Sequence, residues 1–181
     1  MCGSLRLEGL RYFKRFPDSF DFESRGQESG RVLPGARVSL VTTPKTDTGK
    51  GKPVVRSTRW GVLPDWTDNL IFNVRSESAH LKKMWTPSLM HRRGLLFFSS
   101  FLEGGMFWQA TDTAMACLFG CEKKDDMAIL TCTSKGELES YHHRMPVLLP
   151  KPLWYSWLSR DTGLEGAMRL MEKREIPSPN R

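Results

Sequence analysis

The chain opens Met1-Cys2-Gly3, and these residues carry more chemical potential than any other short stretch in it. Once the initiator methionine is removed, as is usual before a small residue, Cys2 holds a free α-amine beside a thiol. With unperturbed pKa values of about 7.7–8.0 and about 8.5, both groups are partly nucleophilic at neutral pH. The amine condenses with an aldehyde to an imine, and the thiolate then closes a five-membered thiazolidine. An interior cysteine cannot do this. A cysteine that merely follows Met looks the same in isolation, so other residues must supply the surroundings of a site.

Four further groups have suitable chemistry. Glu103 ends the apolar run Gly94-Leu-Leu-Phe-Phe-Ser-Ser-Phe-Leu102 and is either the first solvated residue of a turn or a buried acid. Periodicity by itself favours the turn. In a partly apolar pocket its carboxyl pKa would rise, which suits a proton donor. Asn73 donates and accepts hydrogen bonds without competing as a nucleophile, and Arg75 offers a donor fork suited to phosphate. His142, with an unperturbed value near ~6.5, suits proton transfer beside Arg144. Taken singly, Asn73-Val-Arg75 also reads as a turn with a solvated charge, and His142-His-Arg144 as a polar loop. Trp60, Trp66, Trp85 and Trp108 read as core, although Trp66, after Pro64 and Asp65, is also placed to stack an unpaired base. Lys82, Lys83, Arg92 and Arg93 fit a solvated face or a track for a phosphate backbone.

The 181 residues fit one domain with a real core, and 27 Lys and Arg against 20 Asp and Glu give a net charge of +7. That charge suits a polyanionic partner or a merely basic surface. No apolar run approaches the ~18 residues of a membrane span, so no membrane is expected. Four cysteines are too few for a disulfide scaffold at this length, and a reducing compartment fits them. The expected location is the cytoplasm, with the nucleoid, in a bacterium, or the nucleus in a eukaryote. Cys117 and Cys121 lack the CxxC spacing or nearby histidine pair of a zinc site, so no metal is expected.

The elements that must hold these residues follow from periodicity. Leu5 to Phe20 predicts a short helix behind the N-terminus, and 21–30 an exposed loop. Strands are predicted at Ala36–Thr43 and Val54–Trp60 around a hairpin tip, and over Gly94–Leu102, Met106–Ala110, Ala114–Cys121 and Met127–Thr133. A helix over Ser76–Met90 is interrupted by Pro87, and two more span Lys151–Ser159 and Leu164–Glu175. The tail from Ile176 is expected to be disordered. The pattern predicts an α+β single domain with a largely antiparallel, barrel-like β-sheet flanked by short helices.

Five segments occur together and in order: Met1-Cys2-Gly3; Trp60-Gly-Val-Leu-Pro-Asp-Trp66; Asn73-Val-Arg75-Ser-Glu77-Ser; Phe-Leu-Glu103 after a strand opened by Arg93; and His142-His-Arg144-Met-Pro146. The set resembles the SOS response-associated peptidase (SRAP) family, whose pattern is an MCG start, WGLIPxW, NARxET, a strand ending in a GFYEW-type motif, and IHxRMP. The resemblance covers residues 2 to about 158. It implies a domain over 1–160, with 161–181 as a C-terminal helix and flexible tail. Two departures stand out. The glycine before the aromatic and the tryptophan after Glu103 are missing, and Arg31 replaces an asparagine before the VxPG turn.

The resemblance implies an abasic-site sensor in single-stranded DNA. Such a protein removes Met1 autoproteolytically, crosslinks the sugar aldehyde to Cys2 as a thiazolidine, and has weak lyase activity as a side reaction. Carried over by position, the catalytic residues are Cys2, Asn73, Glu103 and His142, with His143 in the variable place. Arg75, Arg144 and Trp66 are the DNA-binding residues. The implied partner is single-stranded DNA containing abasic sites, with a monomeric protein and no cofactor. Two other classes fit the same residues. One is a cysteine-type hydrolase acting on peptides in trans; the other is a non-covalent single-stranded-DNA-binding module.

Overall fold

The computed structural model describes residues 3–7, 30–43, 52–123 and 125–180. In chain order its strands are β1 Leu5–Leu7, β2 Gly30–Val32, β3 Arg37–Thr42, β4 Val54–Trp60, β5 Asn73–Arg75, β6 Arg93–Leu96, β7 Ser100–Glu103, β8 Met106–Gln109, β9 Thr113–Phe119, β10 Asp126–Thr133, β11 Arg144–Pro146, β12 Leu148–Pro150 and β13 Ser178–Pro179. The α-helices are α1 Ser76–Ala79, α2 Thr86–His91, α3 Trp154–Leu158 and α4 Gly163–Glu172, with a 3-10 helix at Gly136–Ser140.

The strands form two sheets. In the larger, β4, β3, β6 and β9 pair in sequence, and β10 pairs with both β9 and β4, closing a ring. Most pairings are antiparallel; β10 runs parallel to β4 and to β5. Met127 to Leu130 of β10 are fully buried because strands flank them and the ring's apolar filling lies on their inner side. The smaller sheet has the order β13-β8-β7-β1-β2. The protein is therefore a mixed α+β single domain, rich in sheet and carrying short helices, as its alternation of strand and turn signals predicts.

The core accounts for the tryptophans. Trp60, Trp108 and Trp157 are fully buried, and each indole N–H donates to a carbonyl, of Phe72 at 3.1 Å, Glu103 at 3.1 Å and Gly94 at 2.9 Å. Apolar rings are thereby buried without stranding a polar atom. Arg93 belongs to this framework and not to a solvated face. It is buried, and its guanidinium donates to the carbonyls of Trp157, Leu89, Met90 and Ser159. Burial, then the nearby Arg160 charge, pushes its pKa down to about 10.

Several expectations need correction. Leu5–Leu7 is a strand pairing β2 and β7, not the start of a helix; the remainder of that predicted helix lies outside the described residues. The apolar run from Gly94 is two strands, β6 in the ring and β7 in the smaller sheet, with Phe97 and Phe98 buried at the crossing. A run buried on both sides has no periodicity to reveal such a change of sheet. Pro87 lies in the first turn of α2, where its missing N–H is tolerated, so it opens a helix instead of interrupting one. The described tail, to residue 180, is ordered: β13 pairs with β8, and Asn180 N–H donates to the Phe107 carbonyl at 2.8 Å. Helix α4 buries Ala167 and Met171 in the common core. No helix among the described residues is long and apolar enough to cross a membrane.

Candidate functional site

A cavity of about 710 Å³ opens beside β5, β10 and β11 of the larger sheet, and Trp66, Asn73, Arg75, His142 and Arg144 of the predicted site residues line it. Strand β5 presents Asn73 and Arg75 to the cavity, held by parallel pairing to β10 at Ile129 and Thr131. A loop closed by the Val62–Ile71 bridge brings Trp66 to the rim with 72% of its surface exposed. Lys82 and Lys83, exposed after α1, add positive charge to the wall. His142 and His143 enter from the turn preceding β11.

That turn is rigidly founded. The N–H groups of Tyr141 and His142 donate to the carbonyl of the fully buried Leu138 at 3.0 and 2.9 Å. The Tyr141 ring stacks edge-on against Trp108 at 5.3 Å. Gly104 approaches so closely that a Cβ there would lie 2.7 Å from Tyr141 Cβ, and its φ of +57° disfavours any side chain. The β7–β8 turn and the histidine loop are therefore pressed together, and this contact brings Glu103 to His142. The Glu103 Oε2 atom lies 3.4 Å from His142 Nδ1.

Glu103 is buried, contrary to the turn reading that periodicity favours. Burial raises its carboxyl pKa above the ordinary value, opposed by the positive charge His142 carries when protonated. The backbone of Arg144 offers His142 Nδ1 a partner in either tautomer. With the proton on Nδ1, the ring donates to the Arg144 carbonyl at 2.8 Å; without it, Nδ1 accepts from the Arg144 N–H at 3.1 Å. An imidazole whose Nδ1 has a backbone partner as donor or as acceptor, beside a buried carboxyl of raised pKa, is suited to relaying protons. Glu103 does not line the cavity itself; it stands behind His142.

Arg144 is buried, with a forked pair of hydrogen bonds to Glu77, 2.8 Å to Oε1 and 2.9 Å to Oε2, and another to the Thr131 carbonyl at 2.6 Å. Burial alone would raise the Glu77 carboxyl, but the arginine and backbone N–H groups outweigh it and hold the pKa at about 2. Glu77, part of the Asn73-to-Ser78 motif, has no role assignable from sequence, since its partner lies 67 residues away. Ser78, from the same motif, also lines the cavity, as does Thr131, which has no sequence signal.

Cys2 lies outside the described residues. Its neighbours are informative, however. Strand β1 pairs with β7 as Leu5 with Phe101 and Arg6 with Ser100, and the Leu102 N–H donates to the Ser4 carbonyl at 2.9 Å. Continued by two residues, this register sets Gly3 opposite Glu103. Arg31, where the family pattern commonly has asparagine, donates from Nε to Ser4 Oγ at 2.8 Å and fixes the same strand from its other edge.

Comparison with known proteins agrees with this architecture. No curated protein matches the chain. Among solved structures, a protein of Bordetella bronchiseptica superposes with a TM-score of 0.74 at 16% identity, covering 99% of this chain and 100% of its own. A protein of Bacteroides thetaiotaomicron gives 0.74 at 15% identity, over 99% and 92% of the two chains. A phage-related protein of B. bronchiseptica gives 0.76 at 16%, over 99% and 94%. These likenesses establish the fold. The model of the family described as SOS response associated peptidase matches residues 1–177, which supports a role related to DNA damage; the chain belongs to the SRAP family.

Proposed function

We propose that this protein captures abasic sites in single-stranded DNA through Cys2. The observation that carries the reading is the Glu103–His142 pair at 3.4 Å, set at the end of the strand beside which the chain's first described residues run. Once Met1 is removed, the Cys2 amine attacks the C1 aldehyde of the ring-opened sugar to give a carbinolamine. Glu103 protonates the departing hydroxyl, water leaves, and the imine forms. The Cys2 thiolate then adds to C1 and closes the thiazolidine, while the nitrogen keeps a proton; one water is lost overall. His142 exchanges a proton with the opened sugar oxygen. Asn73 orients the adduct by hydrogen bonding, and Arg75, Lys82 and Lys83 neutralise flanking phosphates. Arg144, committed to Glu77, is a positioning residue that holds His142, and Trp66 offers a face for an unpaired base. An imine that fails to cyclise undergoes β-elimination, which is the weak lyase side reaction.

Incubation with abasic single-stranded DNA tests this directly. A heat-stable shifted band is expected with wild type and absent with both Cys2→Ala and Cys2→Ser; a band that persists in both variants refutes the chemistry. The family description as a peptidase supports a second reading, cleavage of peptides in trans. It requires repeated turnover of an added peptide, whereas self-processing gives one cleavage per chain. Purely non-covalent binding instead requires Cys2→Ala to retain every DNA interaction.

A further inference from the structure

A second cavity, of about 300 Å³, is lined by Arg56, Arg92, Lys123 and Arg160, with Glu122 the one carboxylate among its described lining residues. The four cations come from β4, the end of α2, the β9–β10 turn and the approach to α4, so only the fold assembles them. Two neighbouring acids, Asp125 and Asp126, are engaged elsewhere. Asp126 accepts from the N–H groups of Cys121, Glu122 and Lys123 at 2.6, 3.0 and 2.8 Å, and Asp125 pairs with Arg37 at 2.6 Å. Arg92 is pre-set by bonds from Nε to Ser88 Oγ and the Phe119 carbonyl, both 3.2 Å, and from Nη2 to Ser88 Oγ at 3.0 Å. Arg160 Nε is buried with no hydrogen-bond partner among the described residues. Clustering like charges around a cavity is unfavourable in an empty protein, and an oxyanion relieves it.

We propose that this cavity is a second phosphate-binding site, occupied by a backbone phosphate of a single nucleic-acid strand. It lies at the opposite end of β10 from the first cavity. Asp126 and Thr131 are five residues apart, about 17 Å at ~3.4 Å per residue. The strand as the source of phosphate rests on the nucleic-acid reading above; the oxyanion chemistry does not. The test uses an unmodified oligothymidylate, so its result is independent of capture at Cys2. Binding by fluorescence anisotropy across a salt series compares wild type with Arg56→Gln/Arg160→Gln. In parallel, inorganic phosphate is titrated while the arginine Nε–H resonances are followed by NMR.

The expected result is about tenfold weaker strand binding, with the slope of log affinity against log salt reduced by about 0.7 for the phosphate released, and loss of the inorganic-phosphate response. Arg56→Lys/Arg160→Lys, which keeps the charge, restores part of the strand binding. Loss of the phosphate response with unchanged strand binding overturns the strand and assigns the site to free phosphate. Two unchanged responses overturn the site itself. Melting curves verify folding, and Lys123→Gln, an exposed position, supplies the same readouts if the double variant is unfolded.

Discussion

Replacing Glu77 with glutamine removes one charge from the Glu77–Arg144 fork while keeping its shape. The carboxyl falls from an ordinary 4.5 to about 2 in the folded protein. Undiluted by solvent, that displacement corresponds to about 3 kcal/mol. The Glu77 side chain is 49% exposed, so screening reduces the contribution to about 1–2 kcal/mol. Because the folded value is depressed, the contribution is fully present above about 4.5 and disappears as pH falls toward 2. Urea unfolding of wild type and Glu77→Gln, followed by circular dichroism from pH 7 downward, isolates the term, since every other group titrates alike in both proteins. At pH 7 the variant midpoint should lie about 0.5–1 M lower, taking a slope near ~2 kcal/mol/M. The gap should narrow below pH 4.5 and close near 2. A gap that is constant with pH, or a more stable variant at pH 7, refutes the ion-pair reasoning.

Glu103→Gln should slow covalent capture by about 10²-fold, and the loss of rate seen in wild type as pH rises through the raised Glu103 value should vanish; single-turnover rates across pH measure both. The same variant bears on stability. With the folded carboxyl pKa raised, wild type loses stability as pH climbs from about 4.5 through that value, whereas the glutamine protein does not, a difference read by thermal melts at pH 5 and 8. Trp66→Ala should weaken single-strand binding by about 1–3 kcal/mol with an unchanged melting temperature, because the ring is 72% exposed. Gly104→Ala, strained at φ +57° and 2.7 Å from Tyr141 Cβ, should lower stability by about 1–2 kcal/mol and displace the histidine loop. Slower capture, alongside a shifted His142 resonance in NMR spectra, checks it.

The strands β3, β4 and β8 were legible because each is rich in β-branched or aromatic side chains, and β9 and β10 because each is a short apolar run bounded by turn residues. The break between β6 and β7 was not, because Phe97 and Phe98 are buried on both sides and leave no alternation. Strand β1 was hidden because Leu7, Leu10, Phe13 and Phe16 continue it at helical spacing, while only Leu5 and Leu7 alternate about Arg6; its real constraint is pairing with β2 and β7, far along the chain. The same holds for the cations. Arg92 and Arg93 are neighbours in sequence, yet one lines a cavity and the other is saturated by four carbonyls.

The residue types that can react, a cysteine at position 2, an amide, an acid and an imidazole, were set by sequence alone, because reactivity resides in the side chain itself. Tertiary structure alone decided that Glu103 is buried against His142, that Arg144 is spent on Glu77, and that four scattered cations share one cavity. Burial and distance arise from contacts between residues remote in the chain, and those contacts set the pKa shifts and pairings on which the chemistry depends.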